Sequence, residues 1–256
     1  MAIEVLTVDL GPGVRAGIST RVGGVSADPW RAANLGFGVG DDPERVQTNR
    51  DLLAAWVGAP VRFARQVHGA DVLVVDAEHV HRGPTAPGQT AQADALVTDV
   101  PGVALGVVVA DCVPVLFADS ISGAAGVAHA GRRGLVAGIL QRTVEALAGL
   151  GARPENLRAA VGPAAGGCCY EVPARLRAEV AEVVAGSAST TTWGTPSLDL
   201  PAGAVAVLRG LGVAQVQRVA ACTIGDRRFY SYRRDGVTGR FAGVVRTRPG
   251  RGSAST

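Results

Sequence analysis

Lysine is absent from the 256 residues, so all 25 basic side chains are arginine, set against 22 acidic ones for a formal net charge of +3. The arginines are scattered except in RRDGVTGR and RTRPGR, and so small a balance makes no demand for a nucleic-acid partner. No apolar run reaches the roughly eighteen residues of a membrane-spanning helix. The first residues, MAIEVLTVDLGPGVR, lack the basic-then-apolar order of a secretory signal. The expected protein is soluble and cytoplasmic, without a membrane partner. There are four cysteines, expected to be reduced in a cytosolic chain, and adjacent Cys168 and Cys169 are poorly placed to pair with each other, so no disulfide framework is expected.

What remains is apolar: 47% of the chain is hydrophobic, enough to bury one sizeable core. In GVGDDPERVQTNRDLLAAWVG, Asp41 or Asp42 ahead of Pro43 and Glu44 predicts a helix start, because an Asp side chain caps free N–H groups and proline fits the first turn. That helix ends near Gly58. VRFARQVHGADVLVVD predicts two strands about a turn at His68–Ala70, and AEHVHRGPTAPGQTAQ a mobile surface loop. ADALVTD, VALGVVVAD, VPVLFAD and GAAGVAHAG are apolar runs of strand length, the pattern of a buried sheet. RRGLVAGILQRTVEALAGLG predicts one helix with Leu135, Ile139, Leu140, Val144, Leu147 and Leu150 on one face, stopped by Gly151. Beyond it come a strand in LRAAVGP, helices in VPARLRAEVAEVV and DLPAGAVAVLRGLG, a polar turn in AGSASTTTWGTPS and a strand in QVQRVAACT. We expect a single α/β domain over residues 1–245, a layered sandwich with mixed sheets, and a disordered tail over 246–256.

Histidine is as scarce as cysteine, at four residues. His79 and His81 fall in the loop-like segment, which suits solvated side chains. His68 in QVHGAD and His129 in GVAHAGRRG lie at strand ends, where α/β folds place ligands. Cys112, in VVVADCVPVLFAD, interrupts an apolar run in the same manner. These three could bind zinc with one position left open; equally, Cys112 and His129 could act as thiolate and base without a metal. Asp111 is expensive in an apolar strand unless paired, and could serve as acid or base or orient a histidine. Arg50, Arg132 and Arg133 suit an anionic group such as phosphate. The glycine-rich GPAAGGCCYEV matches neither a P-loop nor a dinucleotide fingerprint.

Taken in order, TRVGGVS, VGDDPERVQTNR, QVHGADV, ADALVTDVPGVALGVVVADCVPVLFAD, GVAHAGRRG, GPAAGGCCYEV and SYRRDGVTGR resemble the YfiH-like family. That family is labelled variously as a laccase-domain polyphenol oxidoreductase, a purine nucleoside phosphorylase and a peptidoglycan editing factor. The resemblance implies an α-β-β-α sandwich like the cytotoxic necrotising factor catalytic domain. It also implies one zinc held by His68, Cys112 and His129, with Asp111, Cys112 and His129 catalytic. Substrate contacts from Asn34, Arg50, Gln66, Arg133 and Cys169 are implied in the same way. The chain departs from the family's usual motifs at Arg132, Ala164 and Gly167, where tryptophan, cysteine and proline are usual.

The activity implied is zinc-dependent phosphorolysis of adenosine, inosine, guanosine and methylthioadenosine, with adenosine deamination beside it; the partners are then a nucleoside and phosphate. Three alternatives differ in class. One is an amidase acting on nucleotide-linked muramoyl amino acids, and another a copper phenol oxidase, which four histidines scarcely supply. The last is a binding module stabilised by zinc, which a fourth protein ligand near the site, such as Cys168 or Cys169, would support.

Overall fold

The computed structural model describes residues 2–81 and 91–247. Its first half runs β1 (Val5–Val8), β2 (Arg15–Ser19), α1 (Pro43–Val57), β3 (Val61–Arg62), β4 (Val72–Val74), α2 (Ala77–His81), β5 (Ala95–Thr98), β6 (Ala104–Val109), β7 (Val113–Ala118) and β8 (Ala125–Ala130). The second half runs α3 (Arg132–Val136), α4 (Ile139–Gly149), β9 (Arg158–Val161), α5 (Ala174–Val183), β10 (Ala188–Thr190), β11 (Pro196–Leu198), α6 (Leu200–Gly210), β12 (Gln215–Arg218), α7 (Tyr232–Asp235) and β13 (Phe241–Arg246).

Two mixed sheets stack face to face. One has five strands in the order β1-β2-β13-β6-β3, the other six in the order β12-β9-β7-β8-β5-β4. Strands β6 and β7 explain the unbroken apolar runs of the sequence. Leu105, Val107 and Val109 of β6 face Leu116 and Ala118 of β7 in the core between the sheets. The alternate residues of β7, namely Val113, Val115 and Phe117, pack outward with Leu140, Val144 and Leu147 of α4 and Leu200, Ala204 and Leu208 of α6. On the far side, Leu53 and Val57 of α1 pack with Ala104, Ala242 and Val244. Both faces of each central strand are buried, so period-two alternation vanishes. The layering is the expected single-domain α-β-β-α sandwich with mixed sheets.

Local signals hold where side chain and backbone act together. Asp42 caps α1 by accepting from the Glu44 N–H, Pro43 occupies the first turn, and Gly58 ends the helix at φ 82°, a conformation glycine adopts without steric cost.

Four expectations need correction. The helix expected across 132–151 is broken by Gly138 at φ 84°; because Leu135 and Ile139 are buried on either side of the break, the helical spacing runs through it undisturbed. The polar turn at 185–197 contains the antiparallel pair β10–β11. Ala77–His81, expected in the loop, forms the short helix α2; residues 82–90 of that segment lie outside the described residues, and Gln92 at its end bridges Arg65 in parallel. The chain's order continues past 245, since Arg246 ends β13 and Thr247 donates its N–H to the Val103 carbonyl. The remainder of the expected tail, 248–256, is outside the described residues. Among those residues no helix is long and apolar enough to cross a membrane.

Candidate active site

Two links carry the chain from the five-stranded sheet to the six-stranded one: β3 to β4, which contains His68, and β6 to β7, which contains Asp111 and Cys112. The acid and thiol that interrupt VVVADCVPVLFAD therefore sit where the chain changes sheets. Among the described residues, His68 (φ 63°) and Asp111 (φ 84°) are the two non-glycine residues at positive φ. Each costs roughly 1–2 kcal/mol against ordinary backbone, so other contacts must hold them.

For His68 that contact is Asp94, a buried residue ahead of β5. Its carboxylate accepts the backbone N–H groups of Val67 (3.2 Å), His68 (2.9 Å) and Gly69 (2.7 Å). The same carboxylate lies 2.8 Å from Nδ1 of His129. One side chain thus positions both histidines and leaves Nε2 of His129 as its free nitrogen. Burial alone would raise the pKa of Asp94, but the bond from His129, the Gly69 and Val67 N–H groups and the His129 charge bring it down to about 2. Asp94 was not singled out from sequence; the one available signal was an acid at the start of the apolar run ADALVTD.

The three expected ligands converge. Ligand atoms of His68, Cys112 and His129 all lie within 4.8 Å of one another, on residues that are exposed, half-buried and buried in that order. The two imidazoles meet edge to face with centroids 4.6 Å apart. Gly131 permits the approach: a Cβ there would stand 3.0 Å from Cys112 Sγ and 3.2 Å from His68 Cδ2. Burial is the largest influence on the Cys112 thiol and pushes it up, yet His129 and His68 together bring it down to about 6. Burial likewise pulls His129 down, while the Cys112 charge and Asp94 lift it to about 9. Between those values the site carries a thiolate beside an imidazolium.

Asp111 is paired, not turned out to solvent. Its carboxylate accepts Thr223 Oγ1 (2.6 Å) and the Arg233 N–H (2.6 Å), and its carbonyl accepts the Ala165 N–H (2.9 Å). These bonds offset the backbone conformation, and Asp111 lines the same cavity as the three ligands, about 1370 Å³ in volume. Along that cavity Arg50 lies between two phenyl rings, its guanidinium carbon 4.4 Å from the Phe37 centroid and 4.2 Å from that of Phe63. Burial lowers its pKa to about 10, so it remains a cation at neutral pH.

The other expected substrate contacts fare differently. Gln66 lines the cavity but spends its amide on the backbone N–H and carbonyl of Val108. Asn34 is fully buried. Its Oδ1 accepts the N–H groups of Gly36 and Arg240, so it places two cavity-lining residues instead of lining the cavity itself. Arg133 points to solvent at the start of α3, and its neighbour Arg132 takes the place on the cavity wall. Cys169 lies apart from the cavity lining, grouped with Cys168 and Cys222; neither thiol supplies a fourth ligand to the His68 group.

Replacing Asp94 with asparagine puts an amide N–H against at least one of these donors. Breaking a buried charged pair costs about 3–5 kcal/mol, and losing a histidine's orienting carboxylate weakens metal sites about 10–100-fold. Urea titration of Asp94→Asn should show a loss near the lower of those energies, and competition with a chelator a weaker metal site.

A family model described as multi-copper polyphenol oxidoreductase laccase matches residues 15–248. The chain belongs to this laccase-domain family. A purine nucleoside phosphorylase of Streptomyces coelicolor is 50% identical to it over 236 residues, covering 91% of this chain and 95% of that protein. Among solved structures, the Neisseria meningitidis protein NMB0706 superposes with a TM-score of 0.83 at 37% identity, over 95% of this chain and 98% of its own. YlmD from Geobacillus stearothermophilus gives a TM-score of 0.84 at 33% identity, over 93% of each chain. The laccase-domain fold is thus shared along essentially its whole length.

Proposed function

We propose that this protein is a zinc-dependent purine nucleoside phosphorylase that also deaminates adenosine, acting on inosine, guanosine and methylthioadenosine as well. The carrying observation is a single cavity lined by the His68–Cys112–His129 group together with the buried cation Arg50. The 50% identical Streptomyces coelicolor relative, a purine nucleoside phosphorylase by name, agrees with this reading.

The donor set suits zinc: two imidazoles and a thiolate, one histidine already oriented by a carboxylate, and a side open to the cavity. When bound, zinc would supply Lewis-acid polarisation and a lower pKa for water. Phosphorolysis itself breaks the bond between the ribose C1′ and the purine nitrogen and joins a phosphate oxygen to C1′, with the electron pair leaving on the purine. Arg50 and Arg132 hold the phosphate dianion by charge and guanidinium geometry. Asp111 Oδ2, anchored by the Arg233 N–H, takes the proton that hydrogen phosphate gives up on bonding to C1′ and passes it to the departing purine. Phe37, Tyr170 and Tyr232 supply aromatic faces for the base.

Zinc requires the Cys112 thiolate and a neutral His129. Above pH 7 the thiolate already exists, since its pKa is about 6, whereas His129 keeps its proton up to about 9. Each zinc bound between pH 7 and 9 should displace one proton, so the apparent affinity should climb about tenfold per pH unit and level off above 9. Calorimetry in buffers of different ionisation enthalpy reads that proton directly; zero release at pH 8 would contradict it.

The direct test supplies nucleosides with and without phosphate. Free base and ribose 1-phosphate should appear only when phosphate is present; free ribose, or no turnover, would sink the proposal. A second reading, hydrolysis of an amide in a nucleotide-linked muramoyl amino acid, is favoured by the cavity, whose 1370 Å³ exceeds the roughly 300–1000 Å³ of small-ligand sites. Release of an amino acid from such a precursor would establish it. Phenol oxidation has less support: His79 and His81 join no group of metal-ligating side chains among the described residues.

A further inference from the structure

Away from the His68 group, the described residues contain a second gathering of metal-ligating atoms. The sulfurs of Cys168, Cys169 and Cys222 all lie within 4.8 Å of one another, and no histidine nitrogen or carboxylate oxygen belongs to the group. All three thiols are half-buried and reduced.

The backbone builds this arrangement. Strands β9 and β12 pair in parallel, and a further parallel bridge between Ala164 and Cys222 extends the pairing beyond both strands. The Thr223 N–H donates to the Ala164 carbonyl at 3.0 Å. The chain then turns sharply at Gly166, whose carbonyl accepts the N–H groups of both Cys169 and Tyr170, and this turn swings Cys168 and Cys169 back over Cys222. The Gly166 N–H points at Cys222 Sγ from 3.3 Å. A Cβ on Gly166 would stand 3.5 Å from Cys222 Sγ and 3.6 Å from Cys168 Sγ, at ordinary contact distance, so the turn at Gly166 lies directly against both sulfurs.

We propose that Cys168, Cys169 and Cys222 form a three-thiolate site for one copper(I) ion, separate from the His68–Cys112–His129 site. Three soft sulfurs with no oxygen or nitrogen donor select soft cations over magnesium, calcium or manganese. Structural zinc takes four protein ligands and catalytic zinc three with a water; a monovalent closed-shell ion is satisfied by three thiolates alone. An ion about 2.3 Å from each sulfur, as in zinc–thiolate bonds, spaces a trigonal set by about 4 Å. Cys168 Sγ and Cys169 Sγ stand at 2.7 Å and must part, a side-chain rotation that their partial exposure allows. Each thiol that binds gives its proton to solvent, and no electron is transferred.

The test uses reduced full-length protein whose first site is filled with zinc, titrated anaerobically with copper(I) against bicinchoninate. One equivalent of copper should be withheld from the chelator, with an X-ray absorption shell of sulfur only. His68→Ala should retain that equivalent, whereas Cys222→Ser and Cys168→Ser should each weaken it by more than about tenfold. Nitrogen in the copper shell, loss of the equivalent in His68→Ala, its retention in both serine variants, or preferential uptake of a second zinc would each overturn the assignment. Should circular dichroism show Cys222→Ser unfolded, Cys168→Ser and the wild-type absorption shell decide the matter.

Discussion

Cys112→Ala should lose stoichiometric zinc binding and about 10³-fold in phosphorolysis. Two imidazoles cannot replace a thiolate anion in holding a divalent ion, and a bound metal contributes several kcal/mol of transition-state stabilisation, each 1.36 kcal/mol being a factor of ten. The fold should survive, because Cys112 sits in the link between β6 and β7 and is half-buried. A second readout separates lost chemistry from general damage. The Cys112 charge is the chief influence raising His129 towards 9, so the His129 pKa followed by NMR in metal-free Cys112→Ala should drop, and Asp94 alone should keep it from falling further. Full activity in this variant would remove the thiolate from the mechanism.

Arg50→Met should raise the KM for phosphate, or lower kcat/KM for phosphorolysis, by about 10²–10³-fold while leaving adenosine deamination near its starting rate. Methionine keeps apolar bulk between Phe37 and Phe63 but removes the charge. Truncating one member of a buried charged pair costs about 2–5 kcal/mol, which gives that range. The variant also loses the bond from Arg50 Nε to the Leu35 carbonyl, worth about 1 kcal/mol of stability, too little to unfold a domain of this size. Arg50→Glu should abolish phosphorolysis outright by repelling the dianion. Equal losses of both reactions in Arg50→Met would show that Arg50 shapes the cavity and does not hold phosphate.

Much of this molecule is legible locally. The caps of α1 rest on Asp42, Pro43 and Gly58, neighbours whose effect on the backbone needs no tertiary partner. His68, Cys112 and His129 could be picked out because an apolar chain with few histidines and cysteines makes each one conspicuous. What escaped depends on contacts distant in sequence. Asp94 resembles any acid at a strand start until the His68 turn and His129 fold onto it. Asn34 is polar and precedes a turn, yet it is fully buried and fastened to Arg240, 206 residues away. Cys222 gives no sign of Cys168 until β9 and β12 pair. The two strands on either side of His68 are neighbours in sequence but belong to different sheets, and hydrophobic pattern carries no record of which sheet a strand joins.

The proposed function requires one zinc, at His68, Cys112 and His129, for phosphate-dependent cleavage of purine nucleosides. Its most direct test measures ribose 1-phosphate formation from inosine while zinc is returned stepwise to chelator-stripped protein. The rate should rise in proportion to zinc and stop rising at one zinc per chain; stripped protein that works as fast as the reloaded protein would contradict the claim.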